Sequence, residues 1–131
     1  MRPLDGFPTS FGSERAAIFP HAGPASYTQV VATAGTVPAT GGDSCAGSEC
    51  GLKYFDQVAA GLTDDGAFLV IPFPRVASHP QPSGPYATYG LKWVSQVTAT
   101  VGGQAQTAGA EAVAGTNLSG EVVRIVALGP K

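Results

Sequence analysis

The sequence predicts an all-β domain, an antiparallel β-sandwich or small β-barrel, preceded by an extended N-terminal arm. Three observations carry this. Over the thirteen residues Tyr89–Val101, Tyr89, Leu91, Trp93, Val97, Ala99 and Val101 alternate with mostly polar positions, the mark of a half-buried antiparallel strand. Shorter runs rich in β-branched and aromatic residues stand between Gly, Pro and Asp turn signals, as strands do. No segment keeps a helical period long enough for a convincing long helix.

Taken in order, residues 1–25 read as the arm and residues 26–131 as a single β domain. Within the arm, Phe7, Phe11, Ile18 and Phe19 are apolar anchors for a partner, set among turn formers. A short helical turn around Ser13–Ala17 would be capped by Ser13 and limited by Pro20. Tyr27–Thr33 reads as a strand, and the stretch from Ala34 to Gly51 as a long surface loop. Leu52–Ala60 fits a strand with Leu52, Tyr54 and Val58 on one face. Asp65-Gly66 signals a type I′ hairpin turn into the strand Ala67–Phe73, and Pro72 and Pro74 place its end near a sheet edge. A Pro-rich connection follows. Leu91, Trp93 and Val97 are the core of the long strand, which Gly102-Gly103 ends as a turn. Gln104–Gly115 is Ala-rich and reads as a weak helix or a loop. Asn117–Gly120 is a turn, and Glu121–Leu128 a nearly continuous apolar strand.

Composition narrows the function. The 131 residues fit one domain. Charged residues make up 12%, about half the usual share, as suits a surface packed into an assembly more than a solitary soluble domain. Net charge is −2 and no basic run exists, which argues against direct nucleic-acid binding. No apolar run reaches membrane-spanning length, and the first residues lack the apolar core of a signal peptide. The expected site of synthesis is a cytoplasm, where thiols stay reduced.

The stretch Gly41–Gly51, GGDSCAGSECG, concentrates the candidate chemistry. Gly42-Asp43-Ser44 is similar to the surroundings of serine nucleophiles, but the glycines of a trypsin-like motif and of a G-x-S-x-G elbow do not follow. A base would have to come from His21 or His79, both beside proline. Asp43 and Ser44 capping backbone groups in a turn is the better reading. Cys45 and Cys50 supply two soft ligands where structural zinc takes four. They could form a short disulfide loop, or remain free as small apolar residues. Asp64-Asp65 sits in a turn and points to solvent. Tyr86 and Tyr89 could stack on a sugar, although packing at a strand edge is the plainer reading. No phosphate-binding loop, cofactor site or metal site is expected, and no enzymatic activity.

The Pro/Gly-rich segment GFPTSFGSERAAIFPHAGPA, the low charge and the terminal strand GEVVRIVALGP together resemble small virion proteins of tailed bacteriophages, most of all capsid decoration (cement) proteins. The resemblance is one of style over most of the chain and transfers no residue roles. It implies a non-enzymatic homo-oligomer, dimer or trimer, located in the virion. Such a protein binds the major capsid protein or other virion subunits through buried arm residues and strand-edge pairing. A tail or head-completion protein, a carbohydrate- or receptor-binding module, and a hydrolase using Ser44 are the competing readings.

Overall fold

The computed structural model describes residues 14–31, 40–74 and 88–130. Among the described residues nine strands, all paired antiparallel, follow one another: β1 (Glu14–Ala22), β2 (Thr28–Val31), β3 (Thr40–Ala46), β4 (Gln57–Ala59), β5 (Phe68–Pro74), β6 (Thr88–Ser95), β7 (Thr100–Val101), β8 (Gln104–Ala105) and β9 (Val122–Pro130). One 3₁₀ turn, Gly47–Glu49, follows β3. The strands form a sheet in the order β1-β9-β4, a sheet in the order β2-β3-β6-β5, and the small hairpin β7-β8. The all-β expectation holds.

Alternation builds the core. In the first sheet Ala17, Val58, Val123, Ile125 and Ala127 point inward; in the second, Cys45, Phe68, Val70, Tyr89, Leu91 and Trp93 do. All belong to one cluster, so the two buried faces meet as a sandwich. Trp93, Phe68 and Leu91 are fully buried. Phe68 meets Trp93 edge-on with centroids 6.0 Å apart, and Phe55 meets Tyr89 at 5.7 Å, an arrangement favoured by the ring quadrupoles.

Several elements differ from the expectation, each for a physical reason. Glu14–Ala22, expected within the arm and partly helical, is β1, paired with β9 over nine residues. Ile18 and Phe19 therefore belong to the sheet, not to an arm, while Phe7 and Phe11 lie outside the described residues. Pro20 is tolerated because β1 is an edge strand, where a missing N–H breaks no ladder bond. Thr40–Ala46, expected as loop, is an inner strand of the second sheet. Its glycines allow this: Gly41 and Gly42 have positive φ, and a Cβ on Gly41 would collide with the Gln29 carbonyl of β2. Only Gln57–Ala59 of Leu52–Ala60 is a strand, and Phe55 rather than Tyr54 joins Leu52 and Val58 inside.

The long strand stops at Ser95, and Val97 is only half-buried beyond its end. The Ser95 hydroxyl causes the break: it donates to the Val97 carbonyl at 2.7 Å and accepts the Val97 N–H at 3.2 Å, a side-chain turn that competes with the ladder. The turn at Asp64-Asp65-Gly66 is real, but no non-glycine residue among the described ones has positive φ and Gly66 does, so it is not the type I′ turn expected. Gly102 and Gly103 both have positive φ and supply the tight turn between β7 and β8. The Ala-rich segment is not helical after β8. Buried Gln106 ties it down, donating to Thr116 Oγ1 at 2.8 Å and accepting the Val113 N–H at 3.1 Å.

Candidate functional site

The second sheet opens at one point. β3 pairs with β6 from Ala46↔Thr88 to Asp43↔Leu91. Where that pairing ends, the Tyr27 hydroxyl accepts the Trp93 N–H at 3.1 Å and donates to Glu111 Oε2 at 2.7 Å. The same carboxylate oxygen accepts the Val30 N–H at 2.7 Å. The segment around Glu111 then takes over the edge of β6, through Ala112 N–H to the Trp93 carbonyl and Ser95 N–H to the Ala110 carbonyl. Tyr27 is fully buried, and burial raises its hydroxyl pKa far above the ordinary value. This is a structural hinge pin, with no proton to give near neutral pH.

Beside it, the sheets are joined by a polar pair. Inward-facing residues of β1 alternate as Ala17, Phe19 and His21; those of β3 as Asp43 and Cys45. His21 Nε2 meets Asp43 Oδ2 at 2.6 Å, with each side chain 13% exposed. The hydrogen bond to Asp43 raises the His21 pKa above 6.5, partly opposed by burial and assisted by the charges of Asp43 and Glu49.

Asp43, His21 and Ser44 are thus neighbours in space, and their geometry tests the serine reading. Successive residues of a strand face opposite ways. Asp43 faces the interior beside His21, whereas Ser44 is exposed on the outer face, away from that pair. The Ser44 N–H donates to Asp43 Oδ1 at 2.7 Å, a local bond of the kind expected, but both residues lie in β3 and not in a turn. Gly41, Gly42, Asp43, Ser44 and Thr88 line a shallow depression of about 340 Å³. His79 and Tyr86 lie outside the described residues.

The remaining candidates are placed as follows. Cys45 and Cys50 are free thiols. Cys45 faces the core, and burial pushes its thiol up to about 12. Cys50 is half-buried and its Sγ donates to the Gly47 carbonyl at 3.4 Å. No cluster of His, Cys, Asp and Glu able to hold a metal occurs among the described residues. Tyr89 is 9% exposed against Phe55, a core residue rather than a platform for a sugar. Leu91 and Trp93 are core, as expected.

Two pairs escaped the sequence. His21 and Asp43 are 22 positions apart, and only the facing of the two sheets brings them together. Asp65 accepts from Thr63 Oγ1 at 2.7 Å and the Ala67 N–H at 3.0 Å, and Glu121 hydrogen-bonds to it. Burial, then that bond, pushes the Glu121 carboxyl up to about 7, while the Ala67 N–H leads the contacts that lower Asp65. With a second carboxyl this close, the charged form of Glu121 is disfavoured.

The outward faces differ from ordinary protein surface. On the first sheet, register puts Ala16 beside Leu128, Ile18 beside Val126 and Ala59, and Pro20 beside Arg124. Ile18 is 73% exposed and Val126 45%. On the second sheet Ile71 is 43% exposed. No helix among the described residues is long and apolar enough to cross a membrane. No protein-family model, curated protein or solved structure matches the chain.

Proposed function

We propose that this chain is a non-enzymatic structural protein of a virus particle, of the capsid-decoration kind, which self-associates and binds the major capsid shell. The observation that carries the reading is the exposure of large apolar side chains on both outward faces, Ile18 and Val126 on one and Ile71 on the other, in a chain with only 12% charged residues. Exposed apolar patches mark protein contacts. A subunit held between a neighbour and a shell needs such contacts on more than one side.

Strand-edge pairing with the shell, which the resemblance implies, fits the structure less well than face contacts. The edge strands β2 and β4 have four and three residues, and β1 and β5 carry Pro20 and Pro72. Short and proline-bearing edges resist strand addition. A tail or head-completion protein would use the same faces and is the second reading.

Limited proteolysis with mass detection tests the proposal, on the free protein and on particles purified from the same source. The expected result is recovery of the chain with the particles and protection there of cleavage sites in residues 1–25 that are cut in the free protein. Absence of the chain from purified particles overturns the reading.

A further inference from the structure

The hairpin that leads into β5 meets the start of β9 at one end of the sandwich. Its tip belongs to the second sheet by its own bonds: the Val70 N–H donates to the Gly61 carbonyl, the Thr63 N–H to Phe68 and the Gly66 N–H to Thr63, each at 2.9 Å. It touches the first sheet through the Asp64 N–H, which donates to the Val122 carbonyl at 2.9 Å, and through a bridge from Thr63 to Val123. Thr63 is buried and Val123 fully so, and this contact shuts that end of the core.

A pair of carboxyls completes it. Glu121, just before β9, hydrogen-bonds to Asp65 of the tip. Two carboxylates cannot make that bond; one must carry a proton. Asp65 accepts from Thr63 Oγ1 and the Ala67 N–H, which favours its charged form. Glu121 Oε1 is shut off from water and has no donor, which disfavours charge there. The proton therefore sits on Glu121, whose carboxyl is pushed up to about 7. Among the described residues, the other charged groups at this end are Asp64 and Arg124, 3.7 Å apart and exposed, and His21 of β1, opposite Val123 and bound to Asp43. None of them bonds Glu121 Oε1.

Once Glu121 ionises, two like charges face each other at hydrogen-bond range and the contact turns repulsive. The backbone is free to let them part. Gly61, at the base of the tip, and Gly120, next to Glu121, both face open space.

We propose that this end of the sandwich is an acid-closed clasp: the bond between Glu121 and Asp65 holds the hairpin tip against the start of β9, and the tip comes away when both carboxyls are charged. Opening gives water a path to the Thr63–Val123 row. The closed form is favoured fully below the ordinary 4.5 of Glu121, and that advantage is lost as pH rises through about 7.

Amide hydrogen exchange of the full chain, followed by NMR at pH 5 and pH 8, is the test, each rate taken relative to an unstructured peptide at the same pH. Protection of the Asp64 N–H is expected to fall at least ~10-fold between the two. The opening is local, so its exchange at pH 8 stays insensitive to dilute urea. That of the Ser95 N–H, bound in the core to the Ala110 carbonyl, accelerates. Glu121→Gln and Asp65→Asn each supply an amide N–H that keeps the bond without a proton, and each removes the pH dependence; one folded variant suffices. Unchanged protection from pH 5 to pH 8, a urea response at Asp64 as steep as at Ser95, or a pH dependence that survives in a folded variant overturns the proposal.

Discussion

Replacing Tyr27 by Phe removes one oxygen from the interior and leaves the ring in place. That oxygen accepts the Trp93 N–H at 3.1 Å and donates to Glu111 at 2.7 Å. Trp93 is 0% exposed, so its N–H is left without water or a partner, at a cost of ~1–3 kcal/mol. Glu111 keeps the Val30 N–H and loses one charge-assisted bond, worth ~1.5–3 kcal/mol. Because the carboxylate can relax toward solvent, the lower ends of both ranges apply, and the sum is about 2.5 kcal/mol. With a urea m-value of ~2 kcal/mol/M, the midpoint falls by about 1.2 M at unchanged m. Equilibrium urea unfolding followed by Trp93 fluorescence measures this directly. A double-mutant cycle with Glu111→Gln should show coupling of ~1 kcal/mol or more. A loss below ~0.5 kcal/mol, or additivity in the cycle, would refute the view that this hydroxyl closes the gap where β3 leaves β6.

The remaining expectations concern charge, backbone and thiols. The raised His21 pKa means that its pairing with Asp43 stabilises the fold fully below pH 6.5 and that this contribution is lost as pH rises through the folded value; thermal unfolding of His21→Gln should lack that decline. Glu121, at about 7 in the fold against an ordinary 4.5, gives stability present below pH 4.5 and lost by about pH 7, so Glu121→Gln should be flatter across that window and more stable than the parent at pH 8. Gly41→Ala should cost several times more than Gly66→Ala: both glycines have positive φ, but only the Gly41 position meets a backbone carbonyl, while Gly66 faces open space and pays the left-handed penalty of ~1–2 kcal/mol alone. Under native conditions a maleimide should label Cys50 first and Cys45 only on unfolding, because the buried Cys45 thiol is pushed up to about 12; equal labelling rates would contradict its placement in the core.

What the sequence disclosed follows from the range over which each signal acts. β9 was legible because Val122–Ala127 is a β-branched and apolar run broken only by Arg124, and the Asp64–Gly66 and Gly102-Gly103 turns because glycine marks positive φ locally. β6 was legible up to Ser95; beyond it, Val97 keeps the alternation, but the Ser95 side chain diverts the backbone, an effect that hydrophobic spacing does not register. β3 was hidden because glycine usually weakens a strand. At Gly41 it is required by the approach of β2, a tertiary fact. The polar pairs were hidden for the same reason. His21 and Asp43 are joined only once two sheets face each other, and Glu121 finds Asp65 across a distance of 56 positions in the sequence.

The four outermost strands bear on how such a chain behaves in quantity. Two are only four and three residues long, and the other two contain proline. Backbone templating, the step by which one sheet recruits the next without limit, has little to grip on any side. Contacts are left to side-chain surfaces of finite size, and those saturate. A protein built this way offers, among its described strands, little backbone edge from which open-ended growth could start, however much of it is present.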